Sequence, residues 1–84
     1  MSKYEKLVQK ILSGKQDNSF SFSDITKLLL AFGFSERIKG SHHIYYRTDI
    51  VEIINIQPRG AQAKPYQVKQ IRDIMVKYKL EVQK

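Results

Sequence analysis

Between Phe34 and Ile56 the chain changes period. Phe34 and Ile38 alternate with polar residues. Gly40-Ser41 then offers a tight turn, and "HHIYYR" and "VEIINI" follow, separated by Thr48-Asp49. Runs this rich in β-branched and aromatic side chains, bounded by turn residues, read as strands. The spacing predicts three short antiparallel strands over 34–39, 42–47 and 51–56. A three-stranded meander cannot bury its own face, so the flanking segments must cover it.

Those flanks have helical period. Tyr4, Leu7, Val8, Ile11 and Leu12 recur on one face, and Gly14 supplies a left-handed stop. After the polar stretch "KQDNS", Ser21 is placed as an N-cap with Asp24 completing a capping box. Phe20 and Ile25 take the positions of a hydrophobic staple. Ile25, Leu28, Leu29 and Phe32 then form an apolar face that ends at Gly33. "QPRG", residues 57–60, predicts a turn with Pro second and Gly fourth. Pro65 opens the last helix from its first position, with Val68, Ile71, Met75 and Tyr78 turned inward. Lys69, Arg72, Lys77 and Lys79 fall largely outside that face. The order helix, helix, meander, helix predicts a two-layer α+β domain with helices on one sheet face. The other face is left open to solvent or a partner.

With 84 residues the chain is expected to form one domain, 1–84, with a small core. No apolar run approaches a membrane span, and the N-terminus lacks the features of a secretory signal. A cytoplasmic protein is therefore expected. The absence of cysteine excludes disulfides and thiolate metal sites. Fifteen basic against eight acidic side chains give a net charge of +7. That balance favours an anionic partner, nucleic acid or an acidic protein, over a merely solvated surface only modestly.

The two histidines, His42 and His43, are the residues with most chemical scope. Neighbours on a strand point to opposite faces, so they are poorly placed to chelate one ion. No His-Glu-x-x-His arrangement, serine elbow or phosphate-binding loop is present. No metal and no cofactor are expected. An imidazole in a basic domain is nonetheless suited to take a proton from an RNA 2′-hydroxyl and return it. His42 is the candidate base. Lys39, Arg47, Arg59 and Lys64 are candidate phosphate contacts. Tyr45 or Tyr46 offers a ring for base stacking, and Tyr45 is the one assigned to the site. Gly40 lets the backbone approach a substrate at the turn, beside Ser41. Against this, a histidine at a strand start is more often a surface side chain than a catalyst. On composition alone, catalysis ranks below simple binding.

The segment "GSHHIYYR" resembles the Gly-Ser-His signature of the HicA toxin family. "FSDITKLLLAFGFSERIKGSHHIYY" is similar to the opening of such proteins. "NIQPRG" with "AKPYQVKQIRDIMVKYKL" resembles their third strand, turn and last helix. The resemblance spans residues 21 to about 80. It implies a double-stranded-RNA-binding-like fold, and a toxin that cleaves mRNA and is neutralised by a HicB-like antitoxin. It further implies that the signature histidine is catalytic, and it places that role on His42 rather than His43. Residues 1–20 form a helical extension beyond the shortest members. Many members carry a second histidine after the third strand; here Gln57 follows instead, so water or a lysine would have to protonate the leaving oxygen. The alternative readings are a non-catalytic double-stranded-RNA-binding module and a protein-interaction domain. Which sheet face His42 occupies is left open by the sequence.

Overall fold

The computed structural model describes residues 3–82. Among these, helices α1 (Lys3–Ser13) and α2 (Phe22–Ala31) precede strands β1 (Ser35–Lys39), β2 (His42–Arg47) and β3 (Ile50–Ile56), and helix α3 (Pro65–Tyr78) follows. The sheet is antiparallel in the order β1-β2-β3. The fold is therefore α+β, with an N-terminal helix ahead of the segment that carries the strands.

Local signals explain most boundaries. The Ser21 hydroxyl accepts the Asp24 amide at 3.0 Å and caps α2, a contact worth about 1 kcal/mol. Asp24 itself pairs with Lys3 on α1 at 3.2 Å. Pro65 stands at the first position of α3 and Lys79 closes it in the left-handed region. Gln67 is buried in the first turn of α3, where its side-chain oxygen accepts the Lys64 amide at 3.4 Å.

One core joins the layers. Ile25, Leu28, Leu29 and Phe32 of α2 meet Tyr45 of β2, Ile50, Ile54 and Ile56 of β3, and Val68, Ile71, Ile74 and Met75 of α3. Leu7 and Ile11 bring α1 into the same cluster. Leu12 does not join them and lies half exposed, while Ile74 is an unanticipated core residue. Arg72 also departs from the expected outer face of α3. Its guanidinium pairs with Asp17 at 2.8 and 3.1 Å and donates to the Ile11 carbonyl at 3.2 Å. It thereby fastens the end of α1 to α3.

The turn expected at 57–60 lies two residues later. Arg59 and Gln62 exchange backbone hydrogen bonds of 2.8 and 3.1 Å around Gly60-Ala61. Gly60 takes φ +61° at the first central position, which only glycine occupies without strain. Phe22 and Ala63 amides bond the Ala61 and Phe20 carbonyls, tying this hairpin to the start of α2.

Candidate functional site

The β1–β2 hairpin turns at Gly40-Ser41, where Gly40 has φ +60° and open space around it. A two-residue turn of this kind fixes register, and Lys39 pairs directly with His42. Tyr45 is buried against the helices, so alternation turns His43 and Arg47 the same way. His42, Ile44 and Tyr46 face out on the uncovered side. Across the sheet, Arg37 and Lys39 of β1 and Val51, Ile53 and Asn55 of β3 share that side by register and alternation. The open face is thus polar and basic at the His42 end. At the other end it is apolar, with Tyr46, Val51 and Ile53 exposed.

His42 is exposed, and both ring nitrogens are engaged. Nδ1 lies 3.2 Å from Asn55 Oδ1, and Nε2 lies 3.1 Å from the Gln57 side-chain nitrogen. Gln57 also reaches Ser41 Oγ at 3.3 Å. Strand pairing sets this up. Asn55 stands opposite Ile44, and the run past Ile56 brings Gln57 alongside the hairpin turn. His43 behaves differently. Its ring meets Phe22 edge-on at 4.8 Å, and its Nδ1 is buried with no hydrogen-bond partner among the described residues.

Two of the assigned RNA contacts are corrected. Tyr45 is 0% exposed, and its hydroxyl donates to the Glu36 carboxylate. Burial, reinforced by Glu36, pushes its phenol well above the ordinary range. A ring inside the core cannot stack on a base. Tyr46, 41% exposed on the open face, is the ring that can. Arg47 is also spent inward. It donates to the Phe32 carbonyl at 2.7 Å and to both Asp49 carboxylate oxygens at 2.9 and 2.7 Å. It therefore closes the C-terminal end of α2 with its charge already paired, and it holds the Asp49 carboxyl below its usual range.

Of the remaining contacts, Lys39, Gly40 and Ser41 stand together at the His42 end, all exposed. Arg59 is exposed two residues beyond Gln57. Lys64 lies at the start of α3, half buried, with its ammonium 6.0 Å from the Tyr66 ring centre. Asn55 was not singled out from the sequence. Its signal is its place as the one polar residue on the outward side of its strand, one strand across from His42.

A family model described as "HicA toxin of bacterial toxin-antitoxin" matches residues 22–78. The chain belongs to the HicA toxin family. The matched span contains the whole sheet, α2, α3 and every side chain placed around His42, while α1 lies ahead of it. No curated protein and no solved structure matched the chain. As a HicA toxin it is one half of a toxin–antitoxin pair, and the family implies an antitoxin partner. Among the described residues, no helix is long and apolar enough to cross a membrane.

Proposed function

We propose that this HicA toxin is an mRNA-cleaving ribonuclease, built on a double-stranded-RNA-binding-like domain, in which His42 is the general base. The observation that carries the reading is the placement of His42. It stands exposed beside a two-residue turn, on the open sheet face, with Lys39 as its strand partner and Asn55 and Gln57 on its two nitrogens.

The chemistry follows from RNA itself. The His42 imidazole takes the 2′-hydroxyl proton, the 2′-oxygen attacks the adjacent phosphorus, and the bond to the 5′-oxygen breaks. The products are a 2′,3′-cyclic phosphate and a 5′-hydroxyl. The leaving oxygen takes its proton from water or a lysine, because Gln57 has none to give. Lys39 and Arg59 meet phosphate charge, Lys64 extends that contact, and Tyr46, at the other end of the open face, stacks on a base further along the RNA. No step needs a metal ion.

The antitoxin partner is read as a HicB-like protein with a carboxylate-lined surface. It steers to the basic end of the sheet and shields His42. The test is RNA cleavage by purified toxin in excess chelator. Cleavage with cyclic-phosphate ends, lost in His42→Ala and on substrates lacking 2′-hydroxyls, supports the reading. RNA binding without cleavage replaces it with a non-catalytic RNA-binding module. Binding of the antitoxin that leaves cleavage intact overturns the shielding.

A further inference from the structure

His42 is held by two amide side chains at once, and the two make opposite demands. Asn55 presents its oxygen to Nδ1 at 3.2 Å, and an amide oxygen only accepts. Gln57 presents its nitrogen to Nε2 at 3.1 Å, and an amide nitrogen only donates. A neutral imidazole satisfies both in one tautomer alone, with the proton on Nδ1 and the lone pair on Nε2. Gln57 is oriented in turn by Ser41. Its two amide hydrogens are divided between Ser41 Oγ, 3.3 Å away, and the ring. Turning both amides over would select the opposite tautomer and make Nδ1 the basic atom. The tautomer is therefore the observable that reports the arrangement.

We infer that Asn55 and Gln57 are positioning residues that choose which nitrogen of His42 acts as base. The inference rests on the ribonuclease reading above. Asn55 keeps the ring proton on Nδ1, so Nε2 is the atom that receives the 2′-hydroxyl proton. When it does, the ring carries hydrogens on both nitrogens, and Asn55 continues to accept the one on Nδ1. Gln57 occupies the Nε2 lone pair in the free protein. The ribose hydroxyl displaces it, and the released amide hydrogen turns to a phosphate oxygen. The position where a second histidine would supply a proton thus supplies a hydrogen bond instead.

The experiment is long-range ¹H–¹⁵N correlation on the ¹⁵N-labelled full chain at alkaline pH, where an imidazole is neutral. Wild type is expected to show the Nδ1–H tautomer. Asn55→Leu should move the ring toward the Nε2–H form that a free histidine side chain favours in water. Asn55→Asp, which keeps an acceptor at the same place, should retain Nδ1–H. In cleavage assays Asn55→Leu should lower kcat by about 10- to 100-fold with little change in KM, the range set by orienting partners of an imidazole. Asn55→Asp should restore most of that loss. A wild-type ring protonated on Nε2 overturns the inference, as does a tautomer in Asn55→Leu identical to wild type. An altered tautomer with unchanged kcat overturns the assignment of Nε2 as base. The spectra need no RNA, so a wild-type protein that cuts no RNA defeats the ribonuclease reading and leaves the tautomer measurement standing.

Discussion

Adjacent tyrosines on β2 should respond in opposite ways to the same substitution. Tyr45 is fully buried among Ile54, Ile56 and the helix layer, and Tyr46 stands 41% exposed on the open face. Truncating a buried aromatic to alanine costs about 3–5 kcal/mol, as lost transfer energy plus a cavity. A domain of 84 residues has only about 4–13 kcal/mol of stability in total. Tyr45→Ala should therefore lower the urea midpoint severely or leave the chain unfolded at 37 °C, about body temperature. Tyr45→Phe keeps the ring and loses only the hydroxyl that donates to Glu36. Glu36 is exposed and can be hydrated instead, so the cost should stay near 1 kcal/mol. Tyr46→Ala should cost about 0.5 kcal/mol or less in stability. If its ring stacks on a base, it should lose about 1–3 kcal/mol of RNA affinity. At 1.4 kcal/mol per factor of ten that is roughly a 5- to 150-fold rise in KM. Urea titration followed by circular dichroism, with cleavage of a short single-stranded RNA, measures both. A Tyr46→Ala protein with wild-type KM refutes the stacking role, and a Tyr45→Ala protein as stable as wild type refutes the assignment of strand faces.

Other changes follow the same logic. His42→Ala should abolish cleavage, a loss of about 10²–10⁴-fold or more, while folding shifts by no more than about 0.5 kcal/mol and antitoxin binding persists; growth after induction without antitoxin, alongside thermal unfolding, checks it. His43→Ala should remain toxic but unfold at a lower temperature, because its ring packs on Phe22. Arg72→Met should cost about 1–3 kcal/mol in urea, since it strips the Ile11 carbonyl and the Asp17 carboxylate of their donor. The Tyr78 hydroxyl and Lys77 hold the Glu52 carboxyl below its usual range. A depressed folded-state value makes this contribution complete above the unfolded carboxylate range, near pH 4, and lost as pH falls through the lower folded value. The acid limb of a stability–pH curve should therefore flatten in Glu52→Gln, and an unchanged limb would show that Glu52 does not contribute.

The element order, the Ser21 cap, the Pro65 start and the two-residue turn at Gly40-Ser41 were legible because each is a local signal. What the sequence left open was phase. "IVEIINI" is apolar on both of its faces, so β3 does not declare which side is covered. That ambiguity passes to β2, where Arg47 as a cation and Tyr45 as a ring suit an RNA surface by residue type alone. Tyr45 reaches the core because Glu36 across the hairpin can accept its hydroxyl. Arg47 turns inward because the last carbonyl of α2 lies within reach, and neither fact is local in sequence. The turn after β3 slid to Gly60 because Ala61 and Ala63, on its far side, bond the backbone of Phe22 and Phe20 at the start of α2, some forty residues earlier. Asn55 and Gln57 gain their meaning only through pairing with the strand that carries His42.

Strand β2 is fastened unevenly along its length. Arg47 grips the end of α2 and the 48–49 turn, and Tyr45 is sunk in the core two residues before it. Toward His42 the strand keeps its ladder pairs to β1 and β3, but its polar side-chain fastenings are amides beside an exposed glycine turn. Mechanically the strand is a cantilever, clamped by side chains at one end and carrying His42 near the other. Amide exchange should be slowest at 45–47 and quicken toward 41–43, with opening free energies that fall in the same direction. The clamped end holds β2 where its register with β3 shifts, between Tyr45 and Arg47, while the free end follows the contour of whatever lies against it, so compliance at the tip costs the fold little.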